Sequence, residues 1–410
     1  MVTGLRSCWA LLLGMWLMMF GSSLQAALIG VRASIEAFTF IQIGIIFSMS
    51  YVGYLIGSIL GERLTSRIGH VRVFAAMCAL SSTVILGQAM LVDPWIWAGA
   101  QLVSGMCFAA MFVVAESWLN DATDNEHRGQ ILSSYMIVVL LGKLSGFYLL
   151  SITSAQSFIL FSCVSILISC SVIPMLLSAG HLPNYASQER VSILAIVRIS
   201  PAGAFVVIAS QIFIGAFNGL AAVYAHKLGM VGVEVSNFLA LFVLGGLIMQ
   251  WPIGSLSDRI DRRKIIFIAC VLCLIVCTVT VLQSNRMILL ICIFLLGGLA
   301  HPLYSIAIAH TNDYLRPSQR IAASGTLILM ASAGSVVGPM MGSGAMDYFG
   351  ANGFFYFAFL PFLAMAIWTG LRIYLRDPLP NHLRGDFVPI PTKATQIVVN
   401  LDPTASPEPK

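Results

Sequence analysis

Charge is what this chain has least of. Asp, Glu, Lys and Arg make up 10% of its 410 residues, against about a quarter in soluble domains, so a soluble globular protein is excluded. Nor do polar and apolar residues alternate as a membrane β-barrel requires; the apolar stretches are uninterrupted, and in lipid that leaves helices. No phosphate-binding loop of the form G-x-x-x-x-G-K-[ST] occurs, which argues against ATP hydrolysis within the chain. Neither H-E-x-x-H nor any other close grouping of metal ligands is present. We therefore expect no enzymatic activity, no metal and no cofactor. The net charge of +5 sits in short loops rather than on a basic face, so no nucleic-acid partner is expected. The nine cysteines lie within or at the ends of apolar runs. Cys270, Cys273 and Cys277 share one helical face, where packing thiols are expected rather than redox chemistry or disulfides.

What is abundant is apolar residue, 58% of the chain. A hydrocarbon core about 30 Å thick takes roughly 20 residues of helix to cross. Runs of that length predict twelve spans, near 8–30, 39–61, 71–92, 95–118, 130–152, 157–178, 201–224, 235–256, 264–284, 287–310, 321–343 and 352–374. The first resembles a secretory signal in having Arg6 and Ala26-Ala27. Its length and the second span directly behind it predict a retained helix instead. Of the 22 Lys and Arg residues, eighteen fall in one set of loops and the termini, three (Arg32, Lys227 and Arg286) fall in the other set, and Lys143 lies inside a span. That asymmetry predicts cytoplasmic placement of both termini and of the 180–200 stretch.

An internal repeat organises these spans. Arg67 and Arg259 stand 192 residues apart, and so do Gly105 and Gly297, Arg128 and Arg320, Gly142 and Gly334, and Gly146 and Gly338. One offset shared by five anchors predicts two six-helix halves, 1–179 and 201–376, joined by a polar linker at 180–200. The stretch 377–410, rich in proline and poor in apolar runs, is expected to be disordered. Glycines at four-residue spacing, Gly142 and Gly146 in the fifth span and Gly334, Gly338 and Gly342 in the eleventh, predict close helix crossings.

Between the eighth and ninth spans lies Gly254–Lys264, reading G-S-L-S-D-R-I-D-R-R-K. Gly254 suits a close helix approach, Asp258 can accept hydrogen bonds from a neighbouring helix terminus, and the basic residues hold the loop in the cytoplasm. The pattern Gly254-x-Leu256-x-Asp258-Arg259 followed by Arg262-Arg263-Lys264 resembles the signature loop of the major facilitator superfamily of secondary transporters. Asp261 departs from it, standing where the family usually has glycine. The segment from Val113 to Asn120 with Arg128-Gly129, and the segment from Ala309 to Asp313, resemble the YcaD-like bacterial branch. The resemblance implies an all-α integral membrane protein of the bacterial inner membrane, with twelve transmembrane helices as two six-helix repeats. It further implies transport of a small solute by alternating access, coupled to protons. In the first half Ser66 stands at the position of Asp258, and Gln101 at the position of a family arginine often assigned to proton coupling. That pair of losses keeps two alternatives open: an uncoupled facilitator or exchanger, and a transport-dead sensor or scaffold.

Few polar residues lie within spans. Lys143, deep in the fifth, is expected to face the cavity and attract an anionic solute. Gln25 and Asn218 are expected to line the cavity because the family's first and seventh helices do, and His301, next to Pro302, to contact solute or serve as a packing histidine. Glu116, Asp258, Arg259, Arg128 and Arg320 are the expected coupling or gating residues. Glu116 is expected to pair with Arg67 or Arg128, and Asp258 with Arg320 as a latch. His310, Asn312 and Asp313 read as helix-end caps. The expected partners are a small solute, protons and the lipid bilayer, with the protein a monomer.

Overall fold

The computed structural model describes residues 2–121, 128–177, 192–315 and 317–375, together with 377, 385 and 387. Its helices are α1 (Val2–Ile35), α2 (Phe40–Ile68), α3 (His70–Met90), α4 (Pro94–Asp121), α5 (Arg128–Leu149), α6 (Phe158–Cys170), α7 (Val172–Leu177), α8 (Ile193–Ile199), α9 (Pro201–Lys227), α10 (Val233–Arg259), α11 (Arg262–Leu282), α12 (Arg286–Asn312), α13 (Pro317–Phe349) and α14 (Gly353–Leu375). Among the described residues, 12 helical segments are long and apolar enough to cross a membrane, α6 and α7 together forming one.

Local chemistry sets the helix ends. Thr39 and Gln42 cap α2 reciprocally: Thr39 Oγ1 accepts from the Gln42 N–H at 3.2 Å, and Gln42 Oε1 accepts from the Thr39 N–H at 2.9 Å. Asp93 accepts from the Trp95 and Ile96 amides at the start of α4, and Asn285 from the Met287 amide at the start of α12. Gly69, at φ 86°, ends α2 in a conformation other residues resist, and α3 begins directly behind it. In the stretch expected to be a polar linker, the described part holds α8, whose first turn Ser192 caps by accepting from Ala195 N–H.

The 192-residue repeat recurs in the contacts. The most extensive pairings are α2 with α4 and α1 with α5, matched by α10 with α12 and α9 with α13. At equivalent positions the same close approaches occur. A Cβ on Gly105 would overlap the Ser50 carbonyl, and one on Gly297 the Phe242 carbonyl. Gly142 and Gly146 lie against the carbonyls of Trp16 and Phe20, while Gly334 and Gly338 lie against those of Ile208 and Ile212. These glycines therefore hold paired helix backbones together, as their spacing predicts.

The two groups of helices meet toward the end of the bundle where α1 stops and α2 starts. Ser48 Oγ donates to the Val336 carbonyl at 2.7 Å, Ser236 Oγ to the Phe147 carbonyl at 2.6 Å, and Tyr148 Oη to Asn237 Oδ1 at 3.1 Å. Gly30 packs on Ala222, and Ser34 Oγ lies 3.1 Å from His226 Nδ1. Each of the last two contacts joins a position to its own repeat, so they mark the pseudo-two-fold axis.

Candidate functional site

Midway along the helices, a cavity with about 790 Å³ of empty space, its open mouth included, lies between the two groups. Helices α1, α2 and α4 wall one side and α9 and α13 the other. Gln25 and Asn218 both line it, as expected. Gln25 is 2% exposed; its Nε2 donates to Ser104 Oγ at 3.3 Å, while Oε1 finds no hydrogen-bond partner. Asn218 engages Tyr51, whose hydroxyl also points at the Gly215 carbonyl, 3.5 Å away. Gln101 lines the wall and donates to Gln88 Oε1 at 3.4 Å. The rings of Phe47, Tyr54, Phe108 and Phe112 complete much of the surface.

The other two expected solute contacts lie elsewhere. Lys143 is 8% exposed and His301 is part-buried, and neither lines this cavity. They lie near enough to each other for the lysine's charge to act on the imidazole. His301 Nδ1 sits 3.0 Å from the Gly297 carbonyl, with its ring 4.8 Å from that of Phe242. Ser335, which occupies the repeat position of Lys143, does line the cavity. It donates to Gln211 Oε1 at 3.4 Å.

Glu116 is fully buried in α4, and Tyr135 of α5 donates to its Oε1 at 2.7 Å. Of the two expected arginine partners, Arg67 stands exposed at the end of α2, whereas Glu116 is buried in the bundle. Only the backbone of Arg128, at the start of α5, is described. The Glu116 carboxylate also acts on Tyr54, which lines the cavity, and on Tyr304 of α12 in the opposite group.

The signature loop is a buried charge network. Arg262, 1% exposed, places Nε 2.9 Å from Asp313 Oδ2 and Nη2 3.2 Å from Asp258 Oδ1. Asp258 thus pairs with Arg262 rather than forming the expected latch with Arg320, because Arg262 opens the adjoining helix one turn further on. Arg259 ends α10, and Arg320, in the first turns of α13, has a buried Nε without a hydrogen-bond partner. Asp261, the departure from the family pattern, is the N-cap of α11. It accepts from the Arg263 N–H at 3.0 Å, and its Oδ2 lies 2.7 Å from Arg263 Nη2. Burial works against this carboxylate, but the hydrogen bonds and charge of Arg263 outweigh it and hold its pKa below the ordinary value.

Two features escaped the sequence reading. Asp313 serves the ion pair with Arg262 besides ending α12. And the stretch expected to be disordered contributes described residues to this loop: the Gly385 N–H donates to Asp313 Oδ1 at 3.1 Å, Arg262 Nη2 donates to the Gly385 carbonyl, and the Phe387 ring covers Gly254. The bare backbone of Gly254 is what admits that ring.

The Major Facilitator Superfamily model matches residues 11–201 and 203–400. The chain is 29% identical over 317 residues to an uncharacterized MFS-type transporter of Yersinia enterocolitica, covering 76% of this chain and 81% of the relative. It is 26% identical over 313 residues to the uncharacterized MFS-type transporter YcaD of Escherichia fergusonii, with the same two coverages. Among solved structures, a variant of the nucleoside transporter NupG superposes with TM-score 0.76 at 12% identity, over 90% of this chain and 99% of that one. A bacterial homolog of the human lysosomal transporter Spinster, inward-facing and occupied, gives 0.70 at 10% identity, over 88% and 93%.

Proposed function

We propose, on the premise that this chain belongs to the Major Facilitator Superfamily, that it carries a small solute across the bacterial inner membrane by alternating access and couples that movement to protons. The halves 1–179 and 201–376 are the moving units, with 180–200 as their linker. The observation that carries this reading is the cavity itself: its wall is shared by both halves, so a rocking motion about it exposes the same solute site to either side. Gln25 and Asn218, one from each half, hold the solute.

Glu116 is the proton-carrying group. It is a buried carboxylate whose charge reaches the cavity wall through Tyr54 and the opposite half through Tyr304, as coupling between solute, proton and half-rotation requires. Arg128 and Arg320, at repeat positions, and Asp258 with Arg259 belong to the gating machinery. Lys143 of α5 and His301 of α12 lie near each other where the halves adjoin. Placing the arginine-rich loops in the cytoplasm puts both termini there. It makes the closed end, with Ser34 and His226, periplasmic, and the conformation cytoplasm-open. We read the protein as acting as a monomer.

Proteoliposomes loaded with a pH-sensitive dye and challenged with small solutes test the reading. Solute entry with proton movement is the expected result. Solute entry without it leaves a facilitator or exchanger, the reading that Ser66 and Gln101 favour. Movement of neither solute nor proton defeats the transport reading.

A further inference from the structure

The described lining of the cavity carries no ionised side chain. The buried ionisable residues Glu116 and Lys143 both lie outside it. A charged solute would shed its water there without an ionised side chain in the lining to contact, which is unfavourable. At the family position where an arginine is common, the wall presents the neutral amide of Gln101.

The polar groups that do face the cavity are amides and hydroxyls, and one is conspicuously unfinished. Gln25 is 2% exposed and is fixed on one side by Ser104, so its free atom Oε1 is a buried acceptor lacking a donor. Such an atom is costly to leave unpaired, and an N–H or O–H brought in by a ligand would satisfy it. The rings of Phe47, Tyr51, Tyr54, Phe108 and Phe112 line the same cavity. Ring faces recognise planar groups by stacking.

We propose that the solute is an uncharged, planar compound with an N–H donor edge, such as an amide, lactam or ureide on a flat ring, whose N–H bonds Gln25 Oε1 while its face packs on the aromatic wall. This rests on the transporter reading and replaces the anionic solute expected from Lys143.

The test uses the purified full chain and matched probes: benzamide, nicotinamide and uracil against benzoate, nicotinate and orotate, with glucose as the non-planar neutral probe. Binding is read by thermal shift and calorimetry, then by uptake into proteoliposomes. At least one neutral planar probe should bind, and its ionised counterpart should bind about tenfold more weakly or not at all. Gln25→Leu should weaken the neutral probe by about tenfold, the scale of one lost hydrogen bond. Because Gln25→Leu can disturb packing, the isosteric Gln25→Glu gives an independent reading: it should create binding of the cationic benzamidine. Three results each overturn the proposal: an ionised probe or glucose binding best, wild-type affinity for the neutral probe in Gln25→Leu, or no binding by any neutral planar probe. Uptake of an ionised probe defeats this inference and leaves the transport reading standing. Binding of a neutral probe that no proteoliposome takes up counts against transport and leaves the solute class intact.

Discussion

Tyr135 donates its hydroxyl hydrogen to Glu116 Oε1 across 2.7 Å, inside the bundle and away from lipid. If Glu116 carries the coupling proton, Glu116→Gln keeps the shape and the hydrogen bond but fixes the neutral state. Accumulation driven by a pH gradient should vanish, while exchange of labelled for unlabelled solute continues. Tyr135→Phe should weaken the coupling less. Pyranine-loaded proteoliposomes measure both; gradient-driven accumulation by Glu116→Gln would remove the role.

The repeat predicts paired effects at paired glycines. Gly105→Leu and Gly297→Leu each force a side chain against a facing carbonyl. Each should cost about 1–3 kcal/mol or more and lower Tm in detergent by similar amounts. Gly99→Ala, where a Cβ meets open space, should leave Tm unchanged or raise it slightly.

Asp313 should matter more than Asp258. The Arg262–Asp313 pair is buried, at 1% and 4% side-chain exposure, while Asp258 is 30% exposed. Asp313→Ala leaves a buried guanidinium short of its partner and should cost about 3–5 kcal/mol. Asp258→Asn should cost about 1 kcal/mol or less. Ser66→Ala, whose hydroxyl only returns to the Arg63 carbonyl, should do little. Thermal unfolding of the three variants gives the ranking, and equal losses would contradict the buried network.

Asp261 gives a pH dependence of known sign. Its pKa is lowered in the folded protein, so its contribution to stability is complete above the ordinary value of 3.8. The contribution is lost as the pH falls through the lowered folded value. Asp261→Asn should flatten the acid limb of a Tm-against-pH curve while leaving neutral Tm lower than wild type. An unchanged acid limb would show that Arg263 does not hold the carboxylate.

Reporter fusions after Asp377 and within 180–200 should both give the cytoplasmic signal. A periplasmic signal at either place would reverse the assignment of the closed end.

Much of this architecture was legible because its signals are one-dimensional. Apolar runs mark spans, and an offset of 192 needs only counting. Gly142, Gly146, Gly334 and Gly338 announce close approaches by lacking side chains. Lys143 shows where legibility stops: position along a helix gives depth but not azimuth, and inside a bilayer both the lipid face and the packed face of a helix are apolar. Asp313 reads equally well as a helix cap, and its partner Arg262 is 51 residues away. The aromatic wall escaped because Phe47, Phe108 and Phe112 look like any other lipid-soluble residue until the helices are set side by side. Phe387 was hidden in a proline-rich stretch whose composition predicted no docking.

The bond between Ser34 and His226 has an evolutionary reading. An assembly of two identical six-helix chains must set every residue on its symmetry axis against a copy of itself. Two serines or two histidines would face each other there, and any mutation would strike both at once. With the duplicated segments fused into one polypeptide, each copy of the axial position drifts alone, and the junction can become a hydroxyl against an imidazole, as Gly30 and Ala222 became a bare backbone against a methyl. One polypeptide thereby admits hetero-pairs on the axis that two identical chains cannot form.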